Sequence, residues 1–368
     1  MLSKIKLYFK KIDWIILFSV IFLIAFGLIE IYSISLGQGE LDSLNFQKQL
    51  MFSLIGIVLL FIFTFVDAYF LKSLSRYWYI LSILLLVAVL IFGQEIRDTK
   101  GWFYLFGFGI QPVELIKVSL IIILATYFSN LALKIKTFRH FFISGFLTLM
   151  FFLLVIAQPD FGSAMMLFAI WLIMMLAAGF SKKYFISLFL IGAILSSMAW
   201  VFFFKDYQKD RILTFLNPSE ASLESGYNVN QAMIAIGSGG LTGKGVGFGS
   251  QSQLKFLPEA QNDFIFSVIA EELGFLGVSL LLLFYAIFFF RTLTVLPKIK
   301  DDFGVYLIIG ALGLIFIQMF INIGMNIGIV PIVGLSLPFV SYGGSALLSL
   351  MVLVGIMENI IIKSKINY

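Results

Sequence analysis

The stretch Trp14-Ile-Ile-Leu-Phe-Ser-Val-Ile-Phe-Leu-Ile-Ala-Phe-Gly-Leu-Ile-Glu-Ile-Tyr32 decides the fold. About 20 apolar residues at ~1.5 Å each cross a hydrocarbon core of ~30 Å. Lys4, Lys6, Lys10 and Lys11 precede it. A cleavable leader would have a shorter apolar core followed by small residues, so this run is expected to stay as a transmembrane helix. The rest of the chain repeats the pattern. Further apolar runs fall at about 48–67, 77–93, 112–131, 141–157, 161–180, 184–204, 263–290, 304–326 and 339–362, with edges uncertain by ~2–4 residues. The fifth is short and ends at Gln158-Pro159-Asp160.

Composition agrees with a lipid solvent. The chain has 368 residues, of which 61% are hydrophobic and 12% charged, and its mean hydropathy is +1.04. Soluble domains carry about 25% charged residues, too many for this chain to match. There is no Cys, which excludes disulfides, thiolate metal sites and thiol nucleophiles. If the N-terminus is cytoplasmic, most of the 25 Lys and Arg fall in cytoplasmic segments, as the positive-inside rule requires. The expectation is therefore an all-α integral membrane protein of about ten spans, with both termini cytoplasmic. A single polytopic domain covers 1–368, and one long extracytoplasmic loop, about 205–262, joins spans seven and eight. That loop is rich in Gly, Ser, Asn and Gln, which suggests turns or short helices on the membrane surface.

Ionisable residues at membrane depth are functional candidates. Glu114 and Lys117 stand at i and i+3, which suits an internal ion pair as well as a ligand role. Asp160 heads span six. Asp263 opens span eight, where Asp is a favoured N-cap and where a general base would face the outer surface. Glu271 is expected about two turns deeper, with Glu272 on nearly the opposite face; structural contacts explain both acids as readily as catalysis does. Lys205, Lys209 and Arg211 cluster outside span seven and read as a solvated face or a phosphate site. Two features carry no chemistry. Gly237 to Gly245 lacks the spacing and the Ser or Thr of a P-loop. The lone His140 sits in a basic loop, where solvation is expected, and it excludes a His-based triad or zinc site. Two function classes remain: an enzyme on a lipid-linked substrate at the external face, or a transporter lined by Glu114, Asp160 and Glu271.

Four stretches resemble the SEDS family (shape, elongation, division and sporulation). They are Gln111-Pro112-Val113-Glu114-Leu115-Ile116-Lys117, Gln158-Pro159-Asp160-Phe161-Gly162-Ser163-Ala164, the run from Phe256 to Gly274, and Leu337-Pro338-Phe339-Val340-Ser341-Tyr342-Gly343-Gly344-Ser345. Gly249 to Leu254 and Asn322 to Met325 resemble the rod-elongation branch, RodA, more than the division branch, FtsW. The resemblance implies a glycosyltransferase of the bacterial inner membrane that polymerises lipid II into undecaprenyl-linked glycan. It implies Asp263 as the catalytic base, with inversion and undecaprenyl pyrophosphate as leaving group. Glu114, Lys117, Lys100, Asp160, Arg211, Ser341 and Tyr342 become substrate-binding candidates. Glu271, Glu272, Gly343 and Gly344 become structural or cavity residues. The pyrophosphate charge calls for a cation, a basic side chain or a divalent ion such as Mg or Mn, with no metal ligand readable. The implied partners are a class B penicillin-binding protein, other elongation-complex proteins and membrane lipid, with no nucleic acid. The chain departs from the family pattern at Lys100, Val113, Asn262 and Ser163. The alternatives are a lipid II flippase or an FtsW-like division polymerase.

Overall fold

The computed structural model describes residues 8–36, 40–96, 99–105, 107–131, 138–202, 209 and 225–366. Its helices are α1 Trp14–Leu36, α2 Glu40–Phe65, α3 Ala68–Ser73, α4 Ser75–Phe92, α5 Pro112–Ser129, α6 Phe138–Ile156, α7 Phe161–Ala177, α8 Lys182–Phe202, α9 Ser225–Ser238, α10 Ser250–Gln253, α11 Ile265–Val295, α12 Asp302–Asn326 and α13 Gly344–Ile366. Among the described residues, eight helices are long and apolar enough to cross a membrane: α1, α2, α4, α5, α6, α11, α12 and α13. The α7 helix is apolar but has 17 residues.

The all-α expectation needs one correction. Gln94–Ile96, Thr99–Leu105 and Phe108–Ile110 form an antiparallel sheet (β1, β2, β3), with Ile96 opposite Thr99 and Leu105 opposite Phe108. The stretch is too short and glycine-rich for another span. Its Thr99, Trp102, Phe103 and Tyr104 favour pleated surfaces. The last span also starts later than expected, at Gly344, because Leu337 to Gly343 form a turn.

Packing sorts inner from outer helices. The α5 and α13 helices are buried along most of their length, while α4, α6 and α8 turn large residues such as Leu84, Phe142, Phe146, Phe189 and Ile194 outward. Such outward faces suit lipid, since no aqueous solvent penalises them. The principal pairs are α13 on α2, α11 on α1, α12 on α5 and α7 on α6. A Cβ on Gly27 would fall 2.2 Å from the Val340 carbonyl oxygen. Only glycine lets the 337–343 turn lie against α1.

The lysine-rich end is tied by charge. Asp13, buried just ahead of α1, accepts from Arg291 Nε at 2.9 Å, Arg291 Nη2 at 2.9 Å and Lys365 Nζ at 2.9 Å, joining α1, α11 and α13. Burial pushes the Asp13 carboxyl up, but the hydrogen bonds and charges of Arg291 and Lys365 outweigh it and leave the pKa below the ordinary value. A carboxyl depressed in the folded state contributes stability above its unfolded pKa of ~3.9 and loses it as pH falls through the folded value. Melting midpoints in detergent are therefore expected to be higher for the native protein than for Asp13→Asn at pH 7. The gap should close as pH drops below about 4. A gap unchanged down to that range would rule out the charge as its source.

Candidate functional site

Asp263 lies in the turn Gln261-Asn262-Asp263-Phe264 that leads into α11. The N-cap expectation is corrected: Phe264 takes the cap position, without a side-chain cap bond, and Asp263 stands one residue outside. Its main chain is fixed instead. The Asp263 carbonyl accepts from Asn322 Nδ2 at 3.0 Å and Asn326 Nδ2 at 2.9 Å, two amides one turn apart on α12. Asn326 Oδ1 accepts in turn from Ser267 Oγ at 2.6 Å. The Asp263 side chain is half-buried and faces Gly334, where a Cβ would sit 3.7 Å from Oδ2.

The turn that follows α12 locks against this one. Ser341 Oγ donates to the Asn262 carbonyl at 2.6 Å and accepts from Leu337 N at 2.8 Å. Tyr342 N donates to the Gln261 carbonyl at 2.8 Å. From α2, Gln49 clamps both sides of the motif. Its Nε2 donates to the Ser341 carbonyl at 3.2 Å, and its Oε1 accepts from Gly343 N at 3.1 Å. Phe339 is held at φ +66°, an outlier for a bulky residue, and the buried Tyr285 hydroxyl donates to the neighbouring Pro338 carbonyl. Ser341 is thus a backbone lock with 5% of its surface exposed, which does not suit a direct substrate contact. Gly344 packs closely on α2: a Cβ there would strike the Phe52 ring at 2.4 Å. Tyr342 is half-buried. Burial and then the nearby Tyr104 push its hydroxyl above the ordinary range, keeping it a donor at neutral pH.

A second polar group stands across the 337–345 turn. Ser345 Oγ accepts from Gln111 N at 3.0 Å, and Gln111 Nε2 donates to Asp160 Oδ2 at 3.1 Å. Asp160 is the N-cap of α7, accepting from Ser163 N at 2.9 Å. Lys100 N donates to the Gln158 carbonyl at 3.2 Å, bringing β2 to the same group. Glu114 and the fully buried Lys117 form an ion pair at 2.7 Å, the internal pairing that their spacing allowed. Arg211 and Lys205 lie outside the described residues.

Glu271 and Glu272 are adjacent on α11, about 100° apart by helical period, and lie just ahead of a break in the helix. The α11 helix breaks at Gly274, with φ 65° and ψ −161°, and the Gly-rich segment enters the break. Lys244 N donates to the Glu271 carbonyl at 3.0 Å and Gly245 N to the Glu272 carbonyl at 2.9 Å, while Phe275 N donates to Gly240 O at 2.9 Å. The segment supplies the hydrogen bonds that the helix gives up. Both carboxylates, fully buried, then hold the loop. Glu271 pairs with Lys244 Nζ at 2.7 Å and accepts from Gln251 N at 3.1 Å. Glu272 accepts from the Ser33 hydroxyl, Gly247 N at 3.0 Å, Ser252 Oγ at 3.1 Å and Gln253 Nε2 at 3.4 Å.

Sequence reasoning missed Lys244, Gln49, Asn322 and Asn326 as site supports. The asparagines carried a signal, two amides at i and i+4 inside an apolar span. It also missed Glu30, fully buried in α1, whose carboxylate oxygens have no hydrogen-bond partner among the described residues. His140 is half-buried and bonded to the Tyr127 hydroxyl at 2.8 Å, not simply solvated.

Residues 13–366 match the family described as FTSW_RODA_SPOVE, cell cycle protein. The chain belongs to this family. Its SEDS motifs, far apart in sequence, are the stretches that meet around the 337–345 turn. The chain is 36% identical to stage V sporulation protein E of Bacillus subtilis, covering 95% of this chain and 96% of that protein. It is 38% identical to peptidoglycan glycosyltransferase MrdB of Escherichia coli, covering 83% and 82%. Among solved structures, a chain from work on the coordination of polymerization and crosslinking by a peptidoglycan synthase complex superposes with TM-score 0.81. It has 27% identity and covers 97% of this chain and 98% of its own. This SEDS chain is accordingly a nearly all-helical, multi-pass membrane protein.

Proposed function

We propose that this protein is a peptidoglycan glycosyltransferase. It polymerises lipid II at the external face of the bacterial inner membrane, with ten spans and both termini cytoplasmic. The observation that carries the reading is Asp263. It is an acid at a helix entrance whose main chain is pinned by Asn322 and Asn326 and whose turn is locked by Ser341. A base held this firmly loses little to reorganisation when a hydroxyl arrives. The α11 end that carries it is opposite the end where Arg291, Lys298 and Lys300 gather, which supports an external site.

In the proposed reaction Asp263 takes the proton of the acceptor 4-hydroxyl as that oxygen bonds to the donor's anomeric carbon. The bond from that carbon to the pyrophosphate oxygen breaks, undecaprenyl pyrophosphate leaves and the configuration inverts. Tyr342, Lys100, Asp160 and the Glu114–Lys117 pair are the binding candidates around the turn, and Arg211 is the candidate for the leaving charge. No three or more His, Cys, Asp or Glu side chains among the described residues are placed to hold a metal. They offer no dedicated cage, and no step is assigned to a metal. A class B penicillin-binding protein is the proposed partner, by analogy with the solved synthase complex. The elongation role is preferred to division on Gly249 to Leu254 and Asn322 to Met325.

The break in α11 favours a second reading, because transporters bind cargo at broken helices. Here the 239–245 segment already satisfies the freed backbone groups, which argues against an open cargo site.

The test is labelled lipid II, supplied to purified protein in detergent and in vesicles, with and without a class B partner, with divalent cation present or chelated. Glycan polymer is the expected product. Movement of lipid II across vesicles with no polymer under any condition would replace the enzyme reading with the transporter.

A further inference from the structure

At the end of α11 opposite Asp263, three connections enclose a cavity of about 290 Å³. They are α3, the segment between α11 and α12, and the last turn of α13. Its lining has two characters. The floor is Ala68, Ile299, Phe303 and Ile360, all apolar and buried. The rim is Lys298, Lys300, Lys363, Ser364 and Tyr69, with Asp301 as the one acid in the lining.

That acid is already engaged. Asp301 Oδ2 caps α12 by accepting from Gly304 N at 2.9 Å, and Tyr69 lines the same cavity. Lys363 is paired with Asp67 and lies 4.7 Å from the Tyr69 ring centre. Lys72 Nζ stands 5.4 Å from the Phe303 ring centre, adding a cation beside the floor. The exposed Lys298 and Lys300 stand at the mouth. Beside them, α3 turns Tyr69 and Phe70 outward, 44% and 58% exposed. Aromatic residues at span ends belong at headgroup depth.

We propose that this cavity is a binding site for an anionic phospholipid of the cytoplasmic leaflet. Lys298 and Lys300 hold the headgroup phosphate, and the apolar floor takes the glycerol and first acyl carbons. The charge balance favours an anion. The floor favours a lipid over free phosphate, because a soluble anion would leave four apolar side chains uncovered. Basic pockets between span ends on the cytoplasmic side are suited to such headgroups. The leaflet rests on the orientation given under the proposed function; the lipid chemistry does not.

The experiment follows the melting midpoint of the purified protein in neutral detergent while phosphatidylglycerol, phosphatidylcholine or inorganic phosphate is added. The native protein is compared with Lys298→Gln/Lys300→Gln, and with a control carrying Lys182→Gln/Lys183→Gln at the start of α8. Both pairs are exposed, so both variants are expected to fold. Phosphatidylglycerol should raise the midpoint saturably in the native protein and the control, and the rise should be largely lost in the Lys298/Lys300 variant. Phosphatidylcholine and inorganic phosphate should do little. An equal rise in both variants would show diffuse attraction and overturn the site. Inorganic phosphate matching the lipid would make it a soluble-anion site instead, and no rise in the native protein would overturn it outright. Melting does not depend on polymerisation, so failure here leaves the proposed enzyme untouched.

Discussion

Replacing Asp263 by Ala or Asn is expected to lower lipid II polymerisation by ~10²–10⁴-fold, the range that a general base contributes. The melting midpoint should move little. The reason lies in how the turn is held. The Asn322 and Asn326 amides bind the Asp263 carbonyl, and Ser341 binds the Asn262 carbonyl, so these anchors survive loss of the carboxylate. Substitution of the anchor makes the complementary case. Asn326→Ala keeps the base but removes a bond to its main chain and leaves the Ser267 hydroxyl without its acceptor. It should lower both stability and turnover, by displacing the base. Assays of lipid II polymer beside thermal melts separate the two. An Asp263→Ala protein that polymerises within about tenfold of the native rate would remove Asp263 as the base, since a positioned base is worth ~10²-fold or more.

Much of this molecule was legible in its sequence because a bilayer imposes few solutions. A helix in lipid must satisfy every backbone group internally, so apolar runs such as Trp14 to Tyr32 map almost directly onto α1, α4, α5, α6 and α12. The candidate site was legible in part. Asp263, Asp160, Glu114 and Lys117 stood out as charges in apolar surroundings. What the sequence hid was partnership across long separations. Gln49 meets Ser341 from α2, and Ser33 meets Glu272 from α1; neither spacing has a local signature. The break two residues beyond Glu272, where Gly274 leaves helical geometry, and the loop that enters it were equally hidden, because a single Gly inside an apolar run reads as helix. The sheet at 94–110 was hidden because a short connection between spans has no hydrophobic period long enough to read.

The same break makes Glu272 the residue whose loss should cost the most stability. Unlike Glu271, which has Lys244, Glu272 has no basic partner among its recorded bonds. Its charge is held by the Ser33 and Ser252 hydroxyls, the Gly247 N–H and the Gln253 amide. Both acids are fully buried. Removing the carboxylate leaves the Ser33 hydroxyl without that acceptor, while Gly247 N–H, Ser252 Oγ and Gln253 Nε2 keep their second acceptors, Ser33 Oγ, the Gly249 carbonyl and the Ser33 carbonyl; a buried donor left unsatisfied costs ~1–3 kcal/mol. Glu272→Ala should therefore destabilise by roughly 1–3 kcal/mol, the cost of a buried hydrogen-bonding group left unsatisfied. Glu272→Gln should fall between, because its carbonyl oxygen can still accept while its NH₂ faces Gly247 N–H, which cannot reverse its polarity. Lys244→Met is the third comparison. It leaves Glu271 buried with the Ser250 hydroxyl and the Gln251 and Ser252 N–H groups as its donors, and Lys244 is itself 31% exposed in the native protein. Because the loop held by these acids runs directly into Leu257 and the Asp263 turn, the loosened variants should also polymerise slowly. Limited proteolysis should cut them first between 239 and 253. A Glu272→Ala protein that melts with the native one and resists proteolysis there would show that the loop is held by the backbone bonds at the Gly274 break alone, with the carboxylate contributing nothing.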